Sequence, residues 1–138
     1  MSESPLAKKM KLNAGARAAV VNAPAGFLKE LAPLPDGVTL SEKLQGTLDW
    51  IQVFVATSAE LKAKLSAAAG ALAPEGLLWI SFPKRTSRIQ TDLTRDKGWE
   101  ALKEVDLKWV TLISVNKTWS AFAFRPFRPG ETRQRARR

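Results

Sequence analysis

Three short, mostly apolar runs constrain this chain more than any other feature: Ala18-Ala-Val-Val21, Trp50-Ile-Gln-Val-Phe-Val55 and Leu77-Leu-Trp-Ile-Ser-Phe82. Each is too short for a buried helix and lacks the alternation of a half-buried strand, so each suits a strand covered on both faces. Between the second and third runs, Thr57-Ser-Ala-Glu60 matches a capping box, in which hydroxyl and carboxylate take up free amides at a helix start. Leu61, Leu65, Ala68, Ala69 and Leu72 then share one stripe, and Pro74 ends the helix. Strands alternating with helices predict a mostly parallel sheet, covered on both sides and joined by right-handed crossovers.

The remaining segments fit around that frame. Lys11 to Arg17 reads as a loop leading into the first strand, and Asn22-Ala-Pro-Ala-Gly26 breaks that strand. Phe27 to Leu31 follows as one or two helical turns, stopped by Pro33 and Pro35. Val38 to Leu40 predicts a short strand, and Gly76 and Pro83 bracket the third run. After a polar stretch from Lys84 to Asp92, residues 96–105 predict a short helix capped by Asp96, with Trp99, Leu102 and Val105 on one face. Leu107 to Val115 and Trp119 to Phe124 form a hairpin about Asn116-Lys117.

The length of 138 residues fits one domain able to bury a core without cross-links. The sequence predicts a single α/β domain over 1–124 and a flexible, Arg-rich tail over 125–138. No stretch approaches the ~20 apolar residues that cross a bilayer, and the first ten residues lack a signal-peptide pattern. A cytoplasmic protein without a membrane partner is the expectation.

Absences limit the chemistry. With no Cys and no His, disulfides, thiolate nucleophiles, Cys- or His-based zinc sites and Ser-His or Cys-His dyads are excluded. The usual proton-transfer side chain near neutral pH is missing as well. No catalytic residue, metal or cofactor is expected on these grounds. The net charge of +9 sits at the ends: +3 over 1–17, +1 over 18–124 and +5 over 125–138.

Two segments resemble the second half of class I S-adenosylmethionine methyltransferases. Leu48-Asp-Trp-Ile-Gln-Val-Phe-Val55 has their acid before the fourth strand, and Leu72-Ala-Pro-Glu-Gly-Leu-Leu-Trp79 resembles their turn before the fifth. The segments SPLAKKMKLN (4–13), VVNAPAGF (20–27), SFPKRTS (81–87), TDLTRD (91–96) and TWSAFAF (118–124) resemble, in the same order, domain of unknown function 3052. That is a bacterial family of small Rossmann-like, methyltransferase-like proteins without the usual S-adenosylmethionine motif. The resemblance implies a compact α/β, Rossmann-like (methyltransferase-like), mostly parallel sheet flanked by helices and ending in an antiparallel hairpin. It carries no activity.

Methyltransferases normally end their first strand in an acid and a Gly-rich turn, with a second acid after the second strand for the ribose hydroxyls. Here the turn is Asn22-Ala-Pro-Ala-Gly26, with one Gly and no acid. Glu42 is the only nearby candidate for the ribose acid, and the preceding segment is too short for the usual second and third strands. S-adenosylmethionine is therefore disfavoured.

Ligands of open α/β sheets sit at the carboxyl ends of the strands. Asn22 and Gly26, Thr57, and Lys84, Arg85, Ser87 and Asp92 should meet there, with Arg88 and Thr86 beside them. Cations with hydroxyls suit a small phosphate or carboxylate ligand; the same residues also suit a solvated loop and helix caps. Asp92 could act as a base, or simply cap and pair. Trp119 and Ser120 could face the cleft, or pack. In the tail, Arg133, Arg135, Arg137 and Arg138 could contact nucleic-acid phosphates without reading sequence. The leading expectation is a binding module for a small anionic ligand or a protein partner. A divergent methyltransferase-like enzyme using Asp92 or Lys84 and a nucleic-acid-associated protein are the alternatives. An open sheet edge would also permit a homodimer.

Overall fold

The structure, a computed structural model, describes residues 4–94, 97–105 and 107–127. Its elements in chain order are α1 (Pro5–Lys9), β1 (Arg17–Val21), α2 (Phe27–Leu31), β2 (Thr39–Ser41), β3 (Leu48–Phe54), α3 (Ser58–Ala71), β4 (Leu72–Pro83), a 3₁₀ turn (Glu100–Glu104), β5 (Leu107–Ser114) and β6 (Trp119–Pro126). One six-stranded sheet runs in the order β2-β1-β3-β4-β6-β5. β2, β1, β3 and β4 are parallel, and β6 is antiparallel to both β4 and β5. The expected α/β class, parallel sheet and closing hairpin are all present.

Each face of the sheet takes alternate residues of the apolar runs, which is why the runs are continuous. Ala19, Ile51, Val53, Leu78, Ile80, Phe122 and Phe124 point to the face covered by α3 and the 3₁₀ turn. There Trp99 meets Phe82 and Phe122 edge-on, at centroid distances of 5.2 and 5.0 Å. Ala18, Val20, Trp50, Phe54, Trp79, Ala121 and Ala123 point to the face covered by α1 and α2. Trp119 lies on that face with its ring 5.0 Å from Phe54, so it packs in the core rather than facing a cleft.

Helix α1 was not expected. It is short, and non-local bonds hold it. The Trp50 and Trp79 indole N–H groups both donate to the Met10 carbonyl, at 2.8 and 2.9 Å. The buried Ser4 hydroxyl accepts from the Ala7 N–H and donates to the Leu31 carbonyl at 2.7 Å, tying α1 to α2. Two further buried polar groups satisfy each other, Ser81 Oγ donating to Gln52 Oε1 at 2.8 Å.

Strand β4 also differs from expectation. Helix α3 ends at Ala71, before Pro74, and the chain enters β4 at once. Leu72 pairs with Leu48 and Leu77 with Trp50, so residues 73–76 form a bulge. Pro74 therefore sits where the ladder needs no donor. Gly76 lies so close to the Leu48 and Ala73 carbonyls that a Cβ would sit 3.1 Å from each. At the other end, β6 continues to Pro126, two residues past the boundary expected at Phe124. The expected cap Asp96 and residues 128–138 of the expected tail lie outside the described residues.

Candidate functional site

Sheet order reverses between β1 and β3, because β1 connects outward to β2 through α2 while β3 connects the other way through α3. Such a reversal leaves a crevice at the carboxyl ends of the strands. Asn22 spans it: its side-chain amide donates to the Phe54 carbonyl at 3.0 Å, joining the ends of β1 and β3. The residue sits at φ 63°, a left-handed conformation that Asn tolerates better than most. Phe27 N–H donates to the Pro24 carbonyl at 3.1 Å and closes the turn. Gly26 then takes φ 87° to start α2, with open space where a Cβ would stand.

An open groove of about 500 Å³ lies along this turn. Its walls are the end of β1, the Ala23–Gly26 turn, Leu28 and Lys29 of α2, and Glu42. Glu42 directly follows β2, whose pairing with β1 needs only three residues. The Ser41 hydroxyl accepts from the Lys43 N–H at 3.0 Å and turns the chain there. Glu42 thus stands at the end of the second strand, on the same groove as the first-strand turn. The sequence offered it as the only nearby candidate acid, and the segment between β1 and β3 holds one short strand, β2, rather than two.

The other expected site residues lie apart from this groove. Thr57 caps α3, its Oγ1 accepting from the Glu60 N–H at 3.1 Å, while Glu60 Oε1 accepts from the Ala56 N–H at 2.6 Å. Asp92 accepts from the Ser58 N–H at 2.7 Å and from its hydroxyl at 2.5 Å. The Ser58 hydroxyl, then its N–H, hold the Asp92 carboxyl below its ordinary range. That is the wrong direction for a general base near neutral pH. Lys84 donates through Nζ to the Ser114 hydroxyl at 2.5 Å and through its backbone N–H to the Thr118 carbonyl at 2.7 Å. Ser87 N–H closes a turn onto the Lys84 carbonyl at 3.0 Å, and Arg85 is exposed. Of the seven ligand candidates, only Asn22 and Gly26 line the groove. Arg133, Arg135, Arg137 and Arg138 lie outside the described residues.

Asp49, the acid expected before this strand, is the second residue of β3 and serves the opposite edge. Its carboxylate accepts from the Arg17 N–H at 2.8 Å and from the guanidinium at 3.0 and 3.1 Å. The Arg17 side chain, then its backbone N–H, lower the Asp49 carboxyl from its ordinary value. This pair joins the starts of β1 and β3, as Asn22 joins their ends. Among the described residues no group of three or more Asp or Glu could hold a metal ion, and no helix is long and apolar enough to cross a membrane.

No protein-family model matches the chain, and no curated protein sequence does. Solved structures match its fold. The fibrillarin pre-rRNA processing protein of Methanococcus jannaschii aligns over 84% of this chain and 68% of its own, at 16% identity and a TM-score of 0.61. The magnesium protoporphyrin IX methyltransferase of Synechocystis PCC 6803, solved with bound SAH, aligns over 88% and 78%, at 12% identity and 0.57. A TehB-like SAM-dependent methyltransferase from Corynebacterium glutamicum aligns over 83% and 82%, at 12% identity and 0.54. The chain has the Rossmann-like methyltransferase fold.

Proposed function

We propose that this chain is a nucleoside-binding module of the methyltransferase fold, and that its site is the groove between the Asn22–Gly26 turn and Glu42. The observation that carries this reading is the position of Glu42. A carboxylate at the end of the second parallel strand, beside a groove at the end of the first, can accept hydrogen bonds from both hydroxyls of a ribose. Pro24 and Leu28 give the same groove an apolar wall suited to a base. A ligand that is only an anion fits less well, since Glu42 would repel it. The loop from Lys84 to Asp92 is the weaker place for an anion, because Lys84 and Asp92 are already held by Ser114 and Ser58.

S-adenosylmethionine fits this groove in one half only. Its ribose and base have Glu42 and the apolar wall. Its sulfonium and amino group are cationic, and Glu42 is the only carboxylate among the described lining residues. No methyl transfer is assigned to the chain.

Isothermal titration of the full chain with adenosine, S-adenosylhomocysteine and S-adenosylmethionine tests the reading, with Glu42→Gln as the paired variant. A charge-assisted hydrogen bond is worth about 1.5–3 kcal/mol, so Glu42→Gln should weaken nucleoside binding roughly 10- to 100-fold without lowering Tm. Absence of binding by every nucleoside, or equal binding by the variant, removes the reading.

A further inference from the structure

We infer that the ligand of this groove is a nucleoside phosphate, with Lys29 holding the phosphate while Glu42 holds the ribose. This deepens the nucleoside reading and rests on it. The groove is lined by one carboxylate, Glu42, and one ammonium, Lys29. They come from different elements, Glu42 from the end of β2 and Lys29 from the third position of α2. Among the described residues neither is in an ion pair; the one ion pair there joins Arg17 and Asp49. Two opposite charges therefore line one groove without meeting. A molecule that donates hydrogen bonds at one end and carries negative charge at the other can bridge them. A nucleoside monophosphate or diphosphate does so, its ribose hydroxyls donating to Glu42 and its phosphate accepting from Lys29. Lysine is well suited to the second task, being a compact point charge that tolerates several phosphate geometries.

The turn supports the same assignment. Methyltransferase-like chains place an acid at the first-strand turn, which would oppose a phosphate. The turn here is Asn22-Ala-Pro-Ala-Gly26, without charge, and Asn22 is occupied by the Phe54 carbonyl. Gly26 leaves open space beside α2, so nothing in the turn blocks a tetrahedral group from approaching Lys29.

Titration of the full chain with adenosine, AMP and ADP, at low and at raised salt, tests the inference. Lys29 is exposed, and Lys29→Ala leaves the buried residues Phe27 and Leu31 of α2 untouched, so the variant should fold as the parent does. AMP should bind about tenfold more tightly than adenosine, and the advantage should shrink as salt rises. In Lys29→Ala the two should bind within about twofold of each other, with adenosine affinity unchanged, and Lys29→Arg should restore much of the gap. Adenosine binding as tightly as AMP, or a gap that survives Lys29→Ala, overturns the phosphate assignment and leaves the nucleoside reading standing. Failure of adenosine, AMP and ADP alike takes away both.

Discussion

The carboxyl edge of the sheet holds two polar regions that differ in how their side chains are used. Around the start of α3, three of the groups predicted to be functional have protein partners, Thr57 with Glu60, Asp92 with Ser58 and Lys84 with Ser114, while Arg85 is exposed. Along the groove at the end of β1, Glu42 and Lys29 have no ion-pair partner among the described residues, and a Cβ at Gly26 would meet open space. The lesson is that polar residues at a ligand-binding edge are informative only once their partners are known. Helix starts and loop crossings absorb hydroxyls and carboxylates for their own amides. What such contacts leave over is the better guide to a site.

Three substitutions or conditions test that difference, taken from the largest effect down. Phe54 underlies the groove region alone, its ring 4.7 Å from Phe27 of α2 and 5.0 Å from Trp119, and its carbonyl holding Asn22. Phe54→Ala should cost about 3–5 kcal/mol in denaturant unfolding and abolish nucleoside binding as well. Binding kept in the destabilised variant would mean that the groove does not rest on this ring.

Thr57→Ala removes a cap alone. It should cost about 1 kcal/mol of stability and leave nucleoside affinity as it was. A drop in affinity in calorimetry would place the α3 region inside the ligand site and erase the distinction.

The smallest effect concerns pH. Asp92 and Asp49 both have carboxyls lowered from their ordinary values, by Ser58 and by Arg17 respectively. A lowered carboxyl stabilises the fold above the unfolded value of about 4 and loses that contribution as pH falls through the folded value. Thermal melts between pH 6 and pH 2 should therefore show Tm falling below about pH 4, with a shallower fall in Asp92→Asn. A fall as steep as in the parent would show that the Ser58–Asp92 contact adds nothing.

Much of the fold was legible because local sequence and final burial agree. The runs at Ala18, Trp50 and Leu77 became β1, β3 and β4, and Thr57 with Glu60 fixed the start of α3 to the residue. Helix α1 was not legible. Its bonds reach from Ser4 to Leu31 and from Met10 to Trp50 and Trp79, and no window of sequence contains both ends. The start of β4 was hidden by Pro74 and Gly76, which read as a break and lie in a bulge. For the candidate site, Asn22 and Gly26 were legible from the strand-to-helix turn. Lys29 carried no local signal, because its place on the groove depends on where α2 settles against α1 and β3. The cations from Lys84 onward attracted attention by their density, which says nothing about whether Ser114 will stand within reach.

The Met10 carbonyl, shared by two indoles, has an optical consequence. Trp50 and Trp79 are both buried and both hydrogen-bonded to one oxygen of the amino-terminal segment. Unseating that segment would change the surroundings of both rings, two of the five tryptophans in the chain. Because the Ser4 hydroxyl ties the segment to α2, and α2 carries Lys29, a ligand drawing on Lys29 acts on a helix joined to both chromophores.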